Sequence, residues 1–552
     1  MTHQIHVCQQ RWTFAVGQGL LHYEEIKLLH SKCRPISIVY DAGSFSKRKN
    51  KNDTAYQSIE EVNRYLKNHC NKTIDYLVLS HFHADHYNLM SKLLEQNKVG
   101  HFIAPLLTTK DNSTEITALA YKWLKEDAKS NGDEDEEKLI AALVENGTDG
   151  FCEEMFRGHE RPDQFIYVTN EPRKSDSIEP IIHVFPSDSD DDDRSQNEDG
   201  ERDGNGNKNA ITISHDQPIM IADRNNRNKS QQFWKMKFYY NTPDIDPPEY
   251  WEAAKKELNN QLGIVLNKCS HGSDEIKPDE IKKEFEEIFS KQTYLPYEHN
   301  EGESDETEEK KVKFKDVFGY ANVNMTSLTM YSGFNLGDKH AEYWCRRDPR
   351  FDLVHKVANL LVHTAKENSN QRRQTLYEAP ESESHRIERL RSLYHTNVQF
   401  DELQSTTGQN NDLFWYYRGC KSNTPRKSYL PSSRERDFCW SWIGFGDMNF
   451  EDAAIADNLI KHFTKQDNLL KKVGCCAAPH HGSHNGFATD KIPSELNGAV
   501  CLISCDPNRK DYGHPRIEAI RSILEGGMLP ILVSDQKETT FHEVLDWGCF
   551  SF

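Results

Sequence analysis

The sequence lacks paired cysteines, long apolar runs and an excess of basic residues. Its 13 cysteines are scattered along 552 residues with no CxxC pair, which argues against a disulfide framework. No apolar window approaches the roughly 20 residues that a membrane span requires. Residues 1–12 show no basic segment followed by an apolar one, as a signal peptide would. We therefore expect a soluble, cytoplasmic protein with reduced thiols and no membrane partner.

The charge balance excludes nucleic-acid binding through the average field of the protein. The chain has 68 Lys and Arg against 87 Asp and Glu, which gives a net charge of −19. Residues 338–436 have the opposite tendency, with 17 Lys and Arg against 13 Asp and Glu, and they include aromatic residues such as Trp344 and Trp415. Such a stretch suits phosphate contact and base stacking, but an ordinary charged helical insertion explains it equally well.

Short β-rich runs alternate with helical patterns at both ends of the chain, which predicts a layered α/β fold. The strand runs are 12–16, 36–43, 74–81, 181–185, 327–334, 438–447, 473–480, 498–505 and 529–535. A helix is predicted over 58–70, with Ser58 as the N-cap residue and Glu61 completing a capping box. Residues 187–209 are acidic and lack apolar periodicity, so we expect a disordered or loop insertion there.

One motif concentrates metal-binding chemistry. The run SHFHADHYN places His81, His83, Asp85 and His86 directly after a predicted strand. Imidazole nitrogens and carboxylate oxygens are ligands of zinc and similar divalent ions. Two such ions, held close together, can clamp the attacking and leaving oxygens of a phosphoryl or acyl substrate. A surface loop rich in histidine is the alternative, but four ligand-capable residues in six positions argue against it.

This motif and several others, in the same order, resemble the metallo-β-lactamase fold hydrolases. The similarity is to one branch, the soluble hydrolase domain of competence-type DNA-uptake proteins. The further matching segments are VGQG (16–19), YDAG (40–43), NVNMTSLTMYSGF (322–334), GFGD (444–447), APHHGSHN (478–485) and NRKDYGHP (508–515). The resemblance implies an αββα sandwich whose metal site lies at the edge where strands of both sheets end.

The resemblance also implies a ligand set. His81 and His83 would hold one ion, Asp85 and His86 would hold the other, and Asp447 would bridge them. One histidine of the pair His480–His481 would complete the set, and His481 is preferred because it is the second of the pair. The expected cofactors are two divalent metal ions, zinc first, with manganese as the alternative.

Other residues would act around these ligands. Asp85 would also steer a proton of the attacking water, and His514 would be a ligand or contact the phosphate or leaving-group oxygen. Asp41 would orient a ligand histidine, and Ser483 and Asn508 would contact the substrate.

The same resemblance sets the expected domain organisation, because the chain is far longer than simple members of the family. Residues 1–186 and 437–552 would form the two halves of the domain, and 319–337 would supply a core strand. Residues 187–318 would be an acidic and helical insertion, partly disordered, and 338–436 a basic insertion. Inserted segments often carry specificity.

The function expected from these features is a binuclear metal-dependent hydrolase, most simply a phosphodiesterase or nuclease acting on DNA or RNA through residues 338–436. One alternative is hydrolysis of a small ester, lactone or cyclic nucleotide. Another is an effector subunit of a larger, defence-type assembly, with the insertions binding partner proteins. The fold alone does not choose among them.

Overall fold

The computed structural model describes the chain in segments, and all statements below concern these residues. They are 4–29, 33–45, 53–108, 116, 134–170, 179–185, 209–223, 231–240, 292–297, 308–313, 327–335, 342–348, 415–419, 441–450, 453–465, 467–483, 486–487, 492–497, 499–507 and 514–550. The chain forms two compact units. The first contains Met1–Pro105, His159–Asn241 and Ser327–Phe552, and the second contains Leu106–Gly158 and Thr242–Thr326.

Strands dominate the described residues. They are β1 (Gln4–Thr13), β2 (Leu21–Leu28), β3 (Ile36–Ala42), β4 (Thr73–Val78), β5 (Lys98–Pro105), β6 (Gln164–Thr169), β7 (Ile181–Phe185), β8 (Ala210–Ser214), β9 (Ile219–Asp223), β10 (Gln231–Tyr240), β11 (Gln292–Tyr297), β12 (Glu308–Lys313), β13 (Leu328–Phe334), β14 (Glu342–Asp348), β15 (Trp415–Gly419), β16 (Ser441–Gly444), β17 (Val473–Ala477), β18 (Val500–Ser504), β19 (Leu529–Val533) and β20 (Phe541–Phe550).

The α-helices of the described residues are fewer. They are α1 (Thr54–His69), α2 (Ala84–Tyr87), α3 (Met90–Leu94), α4 (Glu134–Met155), α5 (Ala453–Thr464) and α6 (Ile517–Glu525). α4 belongs to the second unit and is kinked at Gly147, where φ is 63°. Among the described residues, no helix combines the length and apolarity needed to cross a membrane.

Two large mixed sheets make up the first unit. One has ten strands in the order β15-β14-β20-β1-β2-β3-β4-β5-β6-β8, and the other has eight in the order β19-β18-β17-β16-β13-β10-β9-β7. β11 and β12 form a separate hairpin in the second unit. Strands and helices alternate in the chain, so the predicted α/β class is confirmed.

Each large sheet contains a run of parallel strands. β3, β4, β5, β6 and β8 are parallel in the first sheet. β16, β17, β18 and β19 are parallel in the second. Every residue of β3, β17, β18 and β19 is buried, which explains their continuous apolar sequences. Parallel strands bring their carboxyl ends to one edge of a sheet, and polar residues follow several of these strands.

The two sheets are in direct contact. The ring of His22 on β2 stacks on Trp442 of β16 with 3.9 Å between centroids. The hydroxyl of Tyr40 on β3 donates a hydrogen bond of 2.7 Å to the carbonyl of Leu328 on β13. These side chains are fully buried, so the contact between the sheets forms the core of the first unit.

The structure corrects some expectations about local elements. α1 begins at Thr54 after Asp53, so Ser58 is not the N-cap; it lies in the helix and its hydroxyl donates to the carbonyl of Ala15 at 2.8 Å. The run at 12–16 marks only the end of β1. Apolar residues of the loop that follows β1 produced that shifted prediction.

The predicted insertions are described only in part. Residues 210–214, 219–223 and 231–240, inside the stretch 187–318, form β8, β9 and β10 of the two large sheets, where we expected an insertion. Their apolar runs are short and are interrupted by polar turns, so the local pattern did not predict strands that pair with distant parts of the chain. Residues 187–208 lie outside the described part of the chain, and of the basic stretch 338–436 only β14 and β15 are described.

A stack of three rings on the large sheets predicts a pH effect on stability. His183 lies 4.2 Å from the ring of His101 and its Nδ1 lies 2.6 Å from the hydroxyl of Tyr76. Burial, and then the positive charge of His101, lower the pKa of His183 to about 3. The unfolded chain, whose histidine pKa is about 6.5, therefore binds more protons than the folded chain below that pH. Stability should fall as the pH falls below about 6.5.

The test is the thermal unfolding midpoint of the wild type and of His183→Gln at about pH 7.5 and about pH 5.5. Between these conditions, the free energy of unfolding of the wild type should fall by on the order of 1 kcal/mol more than that of the variant, which lowers its midpoint further. An equal loss in both proteins would contradict the assignment of this effect to His183.

Candidate metal centre

Two parallel strands of the ten-stranded sheet supply the first half of the site. β3 ends at Ala42 beside Asp41, and β4 ends at Val78, just before Ser80 and His81. His83 precedes the short helix α2, and Asp85 and His86 lie in its first turn. The compact turn brings all four residues of the motif to the carboxyl end of β4, where the side chains are buried.

The parallel strands of the eight-stranded sheet supply the second half. Asp447 follows β16, and His480 and His481 follow β17. The amide of His480 donates a hydrogen bond of 3.0 Å to the carbonyl of Gly446, which joins the two loops. His480 and His481 have φ values of 47° and 54°, a left-handed conformation that costs energy in a residue other than glycine. Such strain is common where a side chain must point in a set direction.

Three buried residues form the first triad: His81, His83 and Asp447. His81 Nε2 lies 3.0 Å from His83 Nδ1 and 3.4 Å from Asp447 Oδ2. His83 Nδ1 lies 3.5 Å from the same oxygen. Two ligands of a tetrahedral zinc ion, each about 2.0–2.1 Å from it, lie about 3.3–3.4 Å apart. The spacing of the triad fits one such ion.

The second triad contains Asp85, His86 and His481, again buried. His481 Nε2 lies 3.1 Å from Asp85 Oδ2 and 3.2 Å from His86 Nε2. His86 Nε2 lies 4.0 Å from Asp85 Oδ1. This triad joins the HxHxDH turn to the loop after β17, although the two segments are separated by almost 400 residues.

Asp447 lies between the two triads. Its Oδ2 faces His81 and His83, whereas its Oδ1 lies 3.2 Å from His86 Nε2 and 3.5 Å from His481 Nε2. A carboxylate with one oxygen toward each ligand group can bridge two ions. The bridging role of Asp447 was expected from the resemblance and stays a prediction.

Hydrogen bonds to the outer ring nitrogens turn the inner nitrogens toward the triads. His481 Nδ1 lies 2.9 Å from the carbonyl of Ser504, which can only accept, so Nε2 carries the lone pair. His86 Nδ1 lies 2.8 Å from Asp41 Oδ2, which likewise turns Nε2 toward its triad. Burial lowers the pKa of His86, but the surrounding carboxylates, Asp41 first, outweigh burial and raise it well above its ordinary value, so an ion at Nε2 would replace a proton. Such outer partners hold metal-ligating histidines in their binding tautomer.

Asp41 and Ser80 orient the histidines of the HxHxDH turn through hydrogen bonds at the end of β4. Asp41 accepts from the amide and the hydroxyl of Ser80, each at 2.7 Å. The same hydroxyl lies 2.9 Å from His81 Nδ1 and can accept a hydrogen bond from that nitrogen while it donates one to Asp41. Sequence analysis identified Asp41 but missed Ser80, which its place directly before the motif could have indicated.

The unpartnered oxygens and the charge of the buried carboxylates also indicate that the site can hold divalent ions. Buried oxygens Oδ1 of Asp85 and Oδ1 of Asp447 have no hydrogen-bond partner among the described residues. Burial raises the pKa of Asp447, but the histidines around it outweigh burial and hold it well below its ordinary value. An ionised carboxylate with an unsatisfied oxygen is costly in the interior unless a cation or donor meets it. Nitrogen and carboxylate ligands of this kind suit zinc.

The remaining predicted residues have different positions. His480 lies outside both triads, with Nε2 at 3.8 Å from Asp447 Oδ2 and its side chain 26% exposed. The ring of His514 lies 5.7 Å from that of His480. Ser483 is buried, and its amide donates to the carbonyl of His480 at 2.9 Å. Asn508 lies outside the described residues.

The carbonyl of Ser504, which orients His481, was missed by sequence analysis. A backbone acceptor can belong to any residue type, so nothing in the amino-acid pattern marks it. Its place at the end of β18, beside β17, is the available signal, because parallel strands end at the same edge.

No family model matches the chain, and no curated protein matches it. The family relationship therefore stays a resemblance of motifs.

Replacing Asp41 by Asn should weaken zinc binding, because the amide accepts less strongly from His86 and leaves the second triad less basic. We expect a loss of affinity of about 10- to 100-fold, measured by competition with a zinc chelator. Asp75→Asn is the matched control, since Asp75 lies on β4 but pairs with Arg34 at 2.7 Å. Equal affinity in Asp41→Asn and the wild type would contradict the supporting role.

Proposed function

We propose that the protein is a binuclear metal-dependent hydrolase of the metallo-β-lactamase fold that cleaves phosphodiesters, with DNA or RNA as its substrate class. One observation carries the proposal: Asp447 has one carboxylate oxygen toward each of two buried ligand triads. The expected ions are zinc, with manganese as the alternative.

The arrangement of the sheets supports the fold assignment. Two large sheets are in contact, and the carboxyl ends of parallel strands from both supply the site. An αββα sandwich with its metal centre at one edge has these features. Among the matching motifs, the HxHxDH turn follows β4, GFGD lies at the end of β16, and the Pro-His-His-Gly segment follows β17.

The residues divide the chemistry between them. Two bound divalent ions would supply Lewis acidity, which makes water a better nucleophile and stabilises negative charge on a phosphoryl group. The five ligand residues other than Asp85 would hold this positive charge in place. Asp85 Oδ1, which has no hydrogen-bond partner among the described residues, can accept a proton from the attacking water.

His480 and His514 lie beside the ligands, with Nε2 of His480 3.8 Å from Asp447 Oδ2 and the two rings 5.7 Å apart. His480 is partly exposed, so its ring can meet a substrate. Ring N–H groups at this position can donate to phosphate oxygens or to the leaving group. Neither histidine needs to be a metal ligand for this role.

The substrate class follows from the resemblance and from the basic composition of residues 338–436. The net charge of −19 favours the alternative, a small ester or cyclic nucleotide, because a polyanion is repelled by most of this surface. The two substrates differ in how strongly salt affects them.

Asp85→Ala and His86→Ala should each reduce hydrolysis of a phosphodiester such as bis(p-nitrophenyl) phosphate by about 100-fold or more. The reason is loss of a ligand and, for Asp85, of the proton acceptor. Initial rates of zinc-loaded proteins provide the measurement. His101→Gln is the control, since His101 lies on β5 and its ring belongs to the stack with His183.

Equal rates in the wild type and both variants would show a contaminating enzyme or a different site. A wild type that binds two ions but hydrolyses neither phosphodiesters nor esters would instead favour the effector-subunit alternative.

Salt should separate the two substrate classes. Cleavage of single-stranded DNA or RNA should fall steeply between about 50 and 200 mM salt, because cations compete for the phosphates. Turnover of bis(p-nitrophenyl) phosphate should change little over the same range. Nucleic-acid cleavage that is insensitive to salt would contradict recognition through a basic surface.

A further inference from the structure

A second group of metal-ligating side chains lies apart from the candidate metal centre. His215 and Asp216 stand in the turn between β8 and β9, and His462 stands in the last turn of α5. One ligand atom from each lies within 4.8 Å of the other two. We name these three residues the turn cluster.

The turn cluster is distant from the first centre. β8 lies three strands from β4 in the ten-stranded sheet, in the order β4-β5-β6-β8. Neighbouring strands are about 4.8 Å apart, so the two strand ends are separated by roughly 14 Å. None of the cluster's residues belongs to either triad.

Asp216 is the central group of the turn cluster. Its Oδ1 lies 3.4 Å from His462 Nδ1, and its Oδ2 lies 3.9 Å from His215 Nε2. These separations are close to the spacing of about 3.3–3.4 Å between ligands of a tetrahedral ion. The carboxylate is 39% exposed on a turn, so a small rotation can bring its oxygens closer to both rings.

The hydrogen bonds of His215 match those of the first centre. Its Nδ1 lies 2.9 Å from the carbonyl of Tyr240 and 3.4 Å from the amide of the same residue. The shorter contact is to a group that can only accept, so Nδ1 donates to it and Nε2 carries the lone pair toward Asp216. A backbone carbonyl that holds the outer nitrogen is the usual support of a metal-ligating histidine. The same geometry orients His481 in the second triad.

His462 is held by packing. Its side chain is 6% exposed, and its ring lies 4.7 Å from that of His215 and 5.2 Å from that of Tyr239. Its Nε2 is buried and has no hydrogen-bond partner among the described residues. The ring is therefore fixed beside Asp216, with Nδ1 facing that carboxylate.

Lys237 opposes cation binding at this place. Its Nζ donates a hydrogen bond of 3.2 Å to the carbonyl of His462, which keeps an ammonium group close to the cluster. We therefore expect a lower affinity here than at the first centre, where three carboxylates are buried.

From this geometry we infer that His215, Asp216 and His462 bind one divalent transition-metal ion of the zinc class. Two imidazoles and one carboxylate are a frequent zinc ligand set, and the exposed side of Asp216 leaves a fourth position to water. The ion ties α5 to the turn between β8 and β9. Its role is to fix these elements, and it takes no part in the proposed hydrolysis.

The test is zinc content. The wild type, Asp216→Asn and His462→Gln are stripped with a chelator and dialysed against excess free zinc, and the zinc per chain is measured by mass spectrometry. Each variant should contain about one ion fewer than the wild type. His101→Gln, a half-buried histidine elsewhere on the first unit, should retain the wild-type content.

A second protein makes the result independent of the first centre. In the Asp85→Ala/His86→Ala background, Asp216→Asn should still remove about one ion per chain. Asp216 is partly exposed on a turn, so this variant decides the matter if His462→Gln does not fold. Equal zinc content with and without Asp216→Asn would overturn the inference.

Discussion

The structure depends on the placement of one buried carboxylate between two groups of histidines. Asp447 comes within 3.5 Å of four ring nitrogens, two on each side. Asp41 and Asp85 are also buried, so three carboxylates share a small interior volume. Ionised carboxylates in the interior repel each other and lose hydration, and this cost must be met by positive charge. Two divalent ions would supply that charge more completely than protons on the histidines.

The fold meets this constraint through strand direction. β3 and β4 end at one edge of the ten-stranded sheet, while β16, β17 and β18 end at one edge of the eight-stranded sheet. Contact between the sheets then places both groups of loops together. The positive φ angles of His480 and His481 concentrate strain in the loop after β17, where the chain must turn a ligand inward. Local strain is tolerated because buried strands hold both ends of the loop.

The sequence predicts the strands and ligands whose signal is local. The runs that became β3, β17, β18 and β19 are mostly apolar, since both faces are covered, and the His-rich turn directly follows the run that became β4. Features that depend on tertiary contact were missed. Ser58 has a side chain that is typical of an N-cap, but it lies inside α1, where its hydroxyl donates a hydrogen bond to the carbonyl of Ala15. β8, β9 and β10 gain stability from pairing with distant strands, which a local pattern does not contain.

The turn cluster shows why one kind of metal site is visible in a sequence and another is not. In the HxHxDH turn, four ligand-capable residues occupy six consecutive positions, and their density argues against a chance arrangement. The turn cluster uses the same kinds of donor and the same support, a backbone carbonyl on Nδ1, but takes them from two adjacent residues of a turn and from a helix that follows some 240 residues later. His215 still stands at the carboxyl end of a strand parallel to β4, by way of β5 and β6. Strand direction therefore delivers ligands to the same sheet edge in both places, and only the separation of the partners along the chain hides the second one.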